Sequence, residues 1–484
     1  MTTRVEIERA HWDDPRVVRF RELMDAEVQP LYADLRDEIP RVVVDPATIL
    51  ATLVATVDGE AVGTAALKQS GPFVEVKRVF VLEKGRRLGV ARALMAAAER
   101  EAEALGVREL FLQTGKRQEQ AMALYEREGW LPVAPYGPFE GDTTLSRCYV
   151  KPLTRPFVAG VVAAETPRGD DAVGRVLGEI EALDAAGADL AIIEDDPVPP
   201  AGSATLDAPM VAAAAAATTT HVALAPRVRV THTEPFHVSK GIQTLDWAAA
   251  GRAGWVVGVS LTDEEARAFG RRPAPAEDEA WQEAEAVIDA SRRLWDSWED
   301  GAEIRDVATG RFIDRDRVHY VDVETRWFSI KGPSIVPRSP QGQIPVIVDV
   351  AGDGPALAAA AREADVVRVA GDRPRELAAR VRAAAEAEGR RVAILVEVDP
   401  ERVVRAPHAR SDEEQLAAWA AFLRAEAGAD GVVVTGSADA VRAIAGDQHA
   451  AGTTLRERLG LARPASRYEA APELVSAAAE GESR

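Results

Sequence analysis

The chain has little cysteine and no long apolar run. Cys148 is its one cysteine among 484 residues, so an intramolecular disulfide is excluded and an oxidising compartment gains no support. We expect Cys148 to be a packed strand residue. No stretch approaches the roughly 18 uninterrupted apolar residues that a membrane-spanning helix needs, and the N-terminal stretch is charged from Arg4 onward, unlike a signal peptide. These absences predict a cytoplasmic protein.

Basic residues are outnumbered by acidic ones. The 58 basic and 78 acidic residues give a net charge of −20, which argues against partners such as nucleic acid or an anionic membrane surface. Small-molecule partners are expected instead. The composition, 47% hydrophobic and 28% charged, is that of a soluble globular protein, and the length predicts two or three domains.

Residues 1–152 are predicted to form a first domain of order helix, strand, strand, strand, helix, strand, helix, strand. An Asp-Gly turn at Asp58 separates its first two strands, and Gly106 closes the long alanine-rich helix. After the first helix, the predicted elements are strands 51–57, 61–67 and 75–82, helix 88–105, strand 109–113, helix 118–128 and strand 144–150.

Residues 156–470 are predicted to form a second domain. Short apolar runs alternate there with helices, which is typical of parallel strands covered by helices. About eight such runs indicate a (β/α)8 barrel of the TIM type, with a mostly irregular insertion at 299–343. The tail, 471–484, is expected to be frayed. The predicted barrel strands are FVAGVVAA, DLAIIED, HVALAPRV, 253–259, 346–350, 365–369, 391–398 and 431–434.

Residues 74–95, VEVKRVFVLEKGRRLGVARALM, carry the clearest chemical pattern. A strand runs into a turn, and a helix begins at once. The free N–H groups and the positive dipole end of such a helix suit a pyrophosphate. Arg86, Gly89 and Ala91 have the spacing R-x-x-G-x-[GA]. Gly89 lets phosphate oxygens approach the backbone, Ala91 keeps the site open, and Arg86 with Arg87 adds cationic donors.

This segment resembles motif A of the GNAT superfamily of N-acetyltransferases, and LFLQTGKRQEQAMALYEREGWLPV resembles its motif B. The resemblance covers nearly all of residues 1–152 and implies a GNAT α/β fold with acetyl-CoA as cosubstrate. Many members carry an asparagine before the motif B helix, and Gln118 is the candidate substitute here. The residues that the resemblance assigns to acetyl-CoA are Val79, Phe80 and Val81 for the pantetheine arm, Arg86, Arg87, Leu88, Gly89, Val90 and Ala91 for the pyrophosphate, and Gln118.

Two residues are candidates for proton transfer. Tyr125 matches the family tyrosine that protonates the departing thiolate. An amine with a pKa near ~10 must lose a proton before it attacks a thioester. Glu75, at the start of the strand that faces the acceptor cleft, is the candidate base, directly or through a water. The alternatives are a core aromatic for Tyr125 and a solvated strand-end carboxylate for Glu75.

The second domain contains four distinctive strings that look like the nitrilotriacetate monooxygenase group of bacterial-luciferase-like, FMN-dependent monooxygenases. The resemblance runs from about Phe157 to Tyr468, although the segment between Val398 and Gly431 is short for the group. It implies FMN at the C-terminal mouth of the barrel, reduced by a separate flavin reductase. The strings are HTEPFHVSKGIQTLDWAAAGRAGW, LWDSWED, FSIKGPSIVPRSPQGQIPVIV and TTLRERLGLARPASRY.

Three places depart from the group's pattern at the expected flavin site. Val256 replaces the asparagine of GWNVVTS, and Glu277, Ala280 and Trp281 replace an H-x-x-R-Y cluster. Asp353 lies in a loop that usually offers hydroxyl groups to the phosphate. A like charge at ~4 Å costs roughly 4 kcal/mol at an effective dielectric near 20. These departures predict that the barrel has lost ordinary FMN binding.

Other polar residues fall near the predicted barrel mouth. Glu194 ends one strand, and Thr231, Thr233 and His237 lie at or after the end of another. His237 is a candidate ring-contacting residue, with a hydrogen-bonded structural histidine as the alternative. The seven histidines include no pair at i, i+4, so no metal site is predicted.

Three functions remain open from the sequence. The first is an acetyl-CoA-dependent N-acyltransferase for a small-molecule amine, fused to a barrel that has lost FMN and holds substrate or serves as a scaffold. The second is a bifunctional enzyme whose barrel still oxidises a small molecule with reduced FMN, with a flavin reductase as partner. The third makes both domains non-catalytic ligand-binding modules. An oligomer formed through the barrel is compatible with each.

Overall fold

The computed structural model describes residues 4–35, 44–142, 144–167, 171–446 and 452–468. The predicted frayed tail, 471–484, lies outside the described residues. The chain divides into two compact units. The first comprises Met1–Arg155 and Glu401–Gly428, and the second comprises Pro156–Pro400 and Ala429–Arg484. No helix in the described ranges is both long and apolar enough to cross a bilayer.

The first unit is built on a seven-stranded sheet of order β1-β2-β3-β4-β5-β7-β6. Its neighbours pair antiparallel, except for the parallel pair β4 and β5. The elements are β1 Val5–Ala10, α1 Pro15–Val28, β2 Ile49–Val57, β3 Glu60–Ser70, β4 Phe73–Val81, α2 Val90–Ala104, β5 Glu109–Gly115, α3 Glu119–Arg127, β6 Leu131–Val133 and β7 Ser146–Pro152.

The predicted strands and helices of this unit are confirmed, but the prediction of a helix as its first element is wrong. The first element is β1, an edge strand whose side chains are either half-buried or exposed. An edge strand has only one neighbouring strand and is partly exposed to solvent. It therefore carries polar residues and lacks the continuous apolar run by which a buried strand is recognised in a sequence. The alanine-rich α2 packs Leu94, Met95 and Ala98 into the core of the sheet and ends before Gly106, which has a φ of 75°.

The second unit is a closed barrel of eight parallel strands, which confirms the predicted fold class. Its strands are nearly continuous apolar runs because helices cover them outside and side chains fill the lumen. The barrel strands are β8 Phe157–Ala163, β10 Leu190–Glu194, β12 Ala223–Arg229, β13 Trp255–Gly258, β18 Val346–Val350, β19 Val366–Val369, β20 Ala393–Val398 and β21 Gly431–Val434.

Short strands and further helices complete the chain. Six short strands form three two-stranded sheets, two of them within the predicted insertion. These strands are β9 Glu165–Pro167, β11 Ser203–Thr205, β14 Glu303–Asp306, β15 Arg311–Ile313, β16 Val323–Glu324 and β17 Ser329–Ile330. The helices are α4 Ala172–Ala185, α5 Ala208–Ala215, α6 Pro235–Ala248, α7 Asp263–Phe269, α8 Glu277–Asp296, α9 Pro355–Glu363, α10 Pro374–Ala387, α11 Asp412–Ala427, α12 Ala438–Ala445 and α13 Leu455–Arg458.

Helix α11 belongs to the first unit, although its residues fall within the range predicted for the second domain. Ser411 caps its start by accepting a hydrogen bond from the Glu414 N–H, and Gly428 ends it with a φ of 62°. Its buried face covers an aromatic cluster on the sheet, where the Phe422 ring lies 5.4 Å from the ring of Phe73. The predicted packed cysteine, Cys148, is confirmed as a buried β7 residue of this cluster.

Candidate functional site

A gap between two strands of the first unit opens into a large cavity. Strands β4 and β5 pair in parallel only at Val74 with Leu110 and at Glu75 with Phe111. After these two pairs the two strands are no longer paired, and the rest of β4 lines a cavity of about 1190 Å³. The cavity extends from the first turn of α2 to the α1 side of the sheet. Its size and concave shape suit a small-molecule ligand.

The first turn of α2 forms one end of the cavity. Gly89 has a φ of 82° and precedes the helix, and a side chain built there would meet nothing within 4 Å. Gly89, Val90 and Ala91 all line the cavity, and the first N–H groups of α2 have no acceptor within the helix. Leu88 does not line it and has an exposed side chain. The helix start can therefore take an anion through its backbone.

The two arginines of this turn differ in their surroundings. Arg86 lines the cavity, but its guanidinium donates to both carboxylate oxygens of Glu27 at 2.6 Å and to the Val81 carbonyl at 3.1 Å. Arg87 also lines the cavity, on a backbone with a φ of 62°. Arg86 would have to exchange the Glu27 carboxylate for a phosphate in order to bind one.

The strand side of the cavity offers backbone groups. Val79, Phe80 and Val81 line it, directly after Arg78, whose φ of 58° accompanies an irregular register between β3 and β4. Such a bulge turns neighbouring backbone groups away from the regular ladder. Gln118 lines the opposite side, at the start of α3.

Tyr125 lines the same cavity from α3 and is largely buried. Its ring packs 6.2 Å from that of Trp130 and 5.8 Å from that of Tyr149. Burial raises the pKa of Tyr125 to about 12. The phenol is therefore protonated at neutral pH, and it can donate a proton or a hydrogen bond into the cavity.

Glu75 does not line the cavity and is buried. Its carboxylate accepts hydrogen bonds from the Tyr136 hydroxyl at 2.9 Å and from the Ser70 hydroxyl, and it pairs with Lys77 Nζ at 3.0 Å. Burial raises the pKa of Glu75, but Lys77, Ser70 and Tyr136 together outweigh burial and lower it. The carboxylate is held charged and fully engaged, which is unfavourable for a general base.

Two lysines that no sequence motif identified line the cavity beside Glu75. They are Lys68 on β3 and Lys77 on β4. Lys68 pairs in register with Glu75 across the two strands, and Lys77 is two residues further along β4. The alternation of side chains along a strand places all three on one face. Only the hairpin register, which the sequence alone does not fix, would have shown this grouping.

A layer of ion pairs occupies the lumen at the carboxyl ends of the barrel strands. Arg227 of β12 donates to Glu194 of β10 and to Asp349 of β18. Arg368 of β19 donates to Glu397 of β20 at 2.6 Å and to Glu194 at 3.3 Å. The two arginine side chains are only 12–13% exposed. Burial raises the pKa of Glu194, but Arg227 and Arg368 outweigh burial and lower it.

Three other residues predicted for the barrel pocket lie near β12, and each forms a hydrogen bond within the protein. The buried Thr231 hydroxyl accepts a hydrogen bond from the Ser260 N–H at 3.0 Å, and the Thr233 hydroxyl donates to the Arg229 carbonyl at 3.0 Å. His237 is exposed on the first turn of α6, where its backbone N–H donates to the capping Glu234.

The remaining three barrel-pocket predictions fall in different surroundings. Val256 is buried in the apolar lumen below the ion-pair layer. Trp281 is buried on α8, whereas Asp353 is exposed and pairs with Arg380. At the loop that precedes α9, a side chain on Gly354 would lie 3.7 Å from the carboxylate of Glu277. Carboxylates therefore flank the loop at which the family resemblance implies a phosphate site.

The protein is a fusion of two parts. The first is a sheet with a gap between β4 and β5 beside the start of α2, and the second is a closed barrel of parallel strands. The luciferase-like monooxygenase family model matches residues 155–480, and the acetyltransferase (GNAT) family model matches residues 5–130. The chain therefore belongs to the luciferase-like monooxygenase family, and its N-terminal part is a GNAT acetyltransferase domain.

Individual relatives match either part. A component of pristinamycin IIA synthase from Streptomyces pristinaespiralis is 35% identical over 325 residues, 65% of this chain and 98% of that protein. Dibenzothiophene-sulfone monooxygenase from Rhodococcus erythropolis is 40% identical over 147 residues, 30% of this chain, and the match spans only 32% of that protein. IAA acetyltransferase from Azospirillum brasilense is 39% identical over 103 residues, 21% of this chain and 67% of that protein.

Proposed function

We propose that the first unit transfers an acetyl group from acetyl-CoA to a small-molecule amine. The observation that carries the proposal is the continuous cavity that joins the β4–β5 gap to the open start of α2 and includes Tyr125 in its lining. A nucleotide-linked thioester needs an anion site at one end and an apolar slot for its arm. The cavity offers both within one unit.

Each part of acetyl-CoA has a counterpart in this cavity. The pyrophosphate would accept hydrogen bonds from the N–H groups of Gly89, Val90 and Ala91, with Arg87 as a cationic donor. The pantetheine arm would run along β4, where residues 79–81 line the gap. Acetyl-CoA supplies the activated thioester, and the protein's task is to hold it beside an unprotonated amine.

The transfer moves one proton onto the leaving group. The amine nitrogen forms a bond to the acetyl carbon, the carbon–sulfur bond breaks, and its electron pair leaves with sulfur. Tyr125 donates the proton that this sulfur takes up, and the phenolate regains a proton from water. The engaged carboxylate of Glu75 supports a different role from the base expected from the sequence: it fixes Lys77, and the amine loses its proton to water.

Gly89→Glu tests coenzyme binding. A carboxylate at about 4 Å from the pyrophosphate costs roughly 4 kcal/mol at an effective dielectric near 20, so acetyl-CoA affinity should fall about a thousandfold. Isothermal calorimetry measures the affinity. Gly59→Glu is the matched control, because Gly59 has the same φ of 82° and open surroundings but lies in a hairpin turn outside the cavity. Normal binding by Gly89→Glu, or equal loss in both variants, would contradict the assignment.

For the barrel, we propose that ordinary FMN binding has been lost. The support is the ion-pair layer of Glu194, Arg227, Asp349 and Arg368 in the lumen, together with Glu277 beside the loop that precedes α9. Three carboxylates against two arginines in the layer, counting Glu397, disfavour a further anion there. We therefore assign no step to a flavin.

A monooxygenase barrel is the second candidate function. The match to the pristinamycin IIA synthase component over 98% of that protein favours it. Such a barrel would need FMN and a flavin reductase as partner. Direct FMN titration distinguishes the two proposals for the barrel.

A further inference from the structure

Lys68 and Lys77 place two ammonium groups on the acceptor side of the cavity. Both line the cavity, and the buried Glu75 lies between them on the same face of the sheet. Lys77 Nζ pairs with Glu75, and its side chain is only 15% exposed. Lys68 Nζ donates to the Ser70 hydroxyl at 3.0 Å, and Ser70 in turn donates to Glu75. Lys77 therefore has a carboxylate partner, whereas Lys68 reaches that carboxylate only through the Ser70 hydroxyl.

Lys68 differs from the other cations on this side of the cavity. Arg78 pairs with Asp25 and Arg117 with Asp34, both at 2.6 Å. Among the residues with described positions, no carboxylate pairs with Lys68. A partly buried ammonium group has three N–H donors, and the Ser70 hydroxyl uses one of them. The remaining donors are available to an anionic group that enters the cavity.

We propose that the acceptor amine carries a carboxylate that binds to Lys68 and Lys77. This inference rests on the proposed acetyltransferase function and names its substrate class as small amino carboxylates. Lys77 immediately precedes Arg78, the bulge residue of β4, so a carboxylate bound there lies one short strand segment from the gap proposed for the thioester. Met24, Val28 and Leu31 line the cavity as well and provide apolar contacts for the body of the acceptor.

Paired acceptors test the substrate class with the full-length protein. We choose γ-aminobutyrate with γ-aminobutyramide, and para-(aminomethyl)benzoate with its carboxamide, because the acid group is remote from the nitrogen and the amine pKa values stay close. Thiol release from acetyl-CoA gives kcat/KM for each compound. The carboxylates should exceed their amides by about 10- to 100-fold, the usual effect of a hydrogen bond to a charged group.

Lys68→Met should reduce this preference to less than about threefold, mainly through a higher KM for the carboxylates. Lys68→Arg should keep part of the preference, because it keeps the charge. Lys84→Met is the matched control, since Lys84 is an exposed lysine of the same unit that does not line the cavity. Acetyl-CoA affinity is measured in parallel by calorimetry, so that a folding defect in any variant is detected.

The outcomes separate this inference from the function on which it rests. Equal rates for acids and amides, or an equal loss for both in Lys68→Met, overturn the carboxylate site and leave the acetyltransferase standing. Binding of acetyl-CoA without transfer to any of the four compounds also overturns the carboxylate site alone. Absence of acetyl-CoA binding rejects the acetyltransferase itself.

Discussion

At the scale of single residues, the sequence identified those residues whose position depends on the conformation of the chain next to them. Gly89 and Ala91 line the cavity. Their position could be inferred from the motif because the conformation of a glycine followed by a helix start depends only on residues that are close in sequence. Glu75 has a different setting. Its pKa reflects Lys77 and Ser70, which are close in sequence, but also Tyr136, which is 61 positions away. Such a contact depends on the fold and could not be predicted from the strand in which Glu75 lies.

Tyr125→Phe should lower kcat roughly 100-fold, the lower end of the usual effect of a general acid, with little change in acetyl-CoA affinity. The phenol, whose pKa burial raises to about 12, is protonated at every accessible pH, and phenylalanine removes that proton alone. Steady-state thiol release and calorimetry measure the two effects.

Tyr149→Phe is the control for this change. Its ring packs 5.8 Å from that of Tyr125, but Tyr149 does not line the cavity. The Tyr125→Phe defect should also shrink with an acetyl thioester of a more acidic thiol, which leaves without protonation. An unchanged kcat in Tyr125→Phe would mean that Tyr125 serves only as a core aromatic.

At the scale of elements, most helices and strands followed from apolar periodicity, but the place of α11 did not. Its buried alanines and Leu416 would suit any helix on a barrel. What fixes it in the first unit is Phe422 against Phe73, together with Arg424, which forms a buried ion pair with Glu109 of β5. Glu109 is more than 300 positions from Arg424, so no local pattern reveals the pair.

Arg424→Ala should destabilise the first unit by about 3–5 kcal/mol, because it leaves the Glu109 carboxylate buried without its cation. Both side chains of the pair are at most 5% exposed. Burial raises the pKa of Glu109, and Arg424 opposes that rise. Chemical denaturation followed by tryptophan fluorescence measures the loss.

Arg410→Ala is the matched control on the segment that enters α11. Arg410 is exposed and pairs with Glu414, so its removal should cost less than about 1 kcal/mol. The double variant Arg424→Met with Glu109→Leu should recover most of the stability lost in Arg424→Ala. If Arg424→Ala is no less stable than Arg410→Ala, the buried pair does not hold α11.

At the scale of the whole molecule, each barrel strand was predicted within a few residues, because strands buried on both faces are nearly continuous apolar runs. The ion-pair layer was not predicted. Arg227 lies beside Glu194 on the neighbouring strand, but Arg368 is four strands away from Glu194 and reaches it only across the closed barrel. Closure brings together charged side chains that the sequence keeps far apart.

Titration of the purified protein with FMN should show no binding at micromolar concentration. Asp353→Ser combined with Trp281→Tyr should raise the FMN affinity if lost phosphate contacts contribute to the defect. Flavin fluorescence quenching measures both. Tight binding by the unchanged protein would establish the monooxygenase barrel as the better proposal, and no gain in the double variant would reject the phosphate explanation.

The placement of α11 also sets an order of events during synthesis. The sheet that α11 covers is complete by residue 152, yet α11 ends at residue 427. At roughly 5–20 residues per second, the ribosome needs about 15–55 seconds for the intervening 275 residues (427 − 152). Until then the nascent sheet shows Phe73, Phe111 and Tyr136 to the solvent. The acetyltransferase domain is thus expected to complete its core only after the barrel strand β20 has been translated.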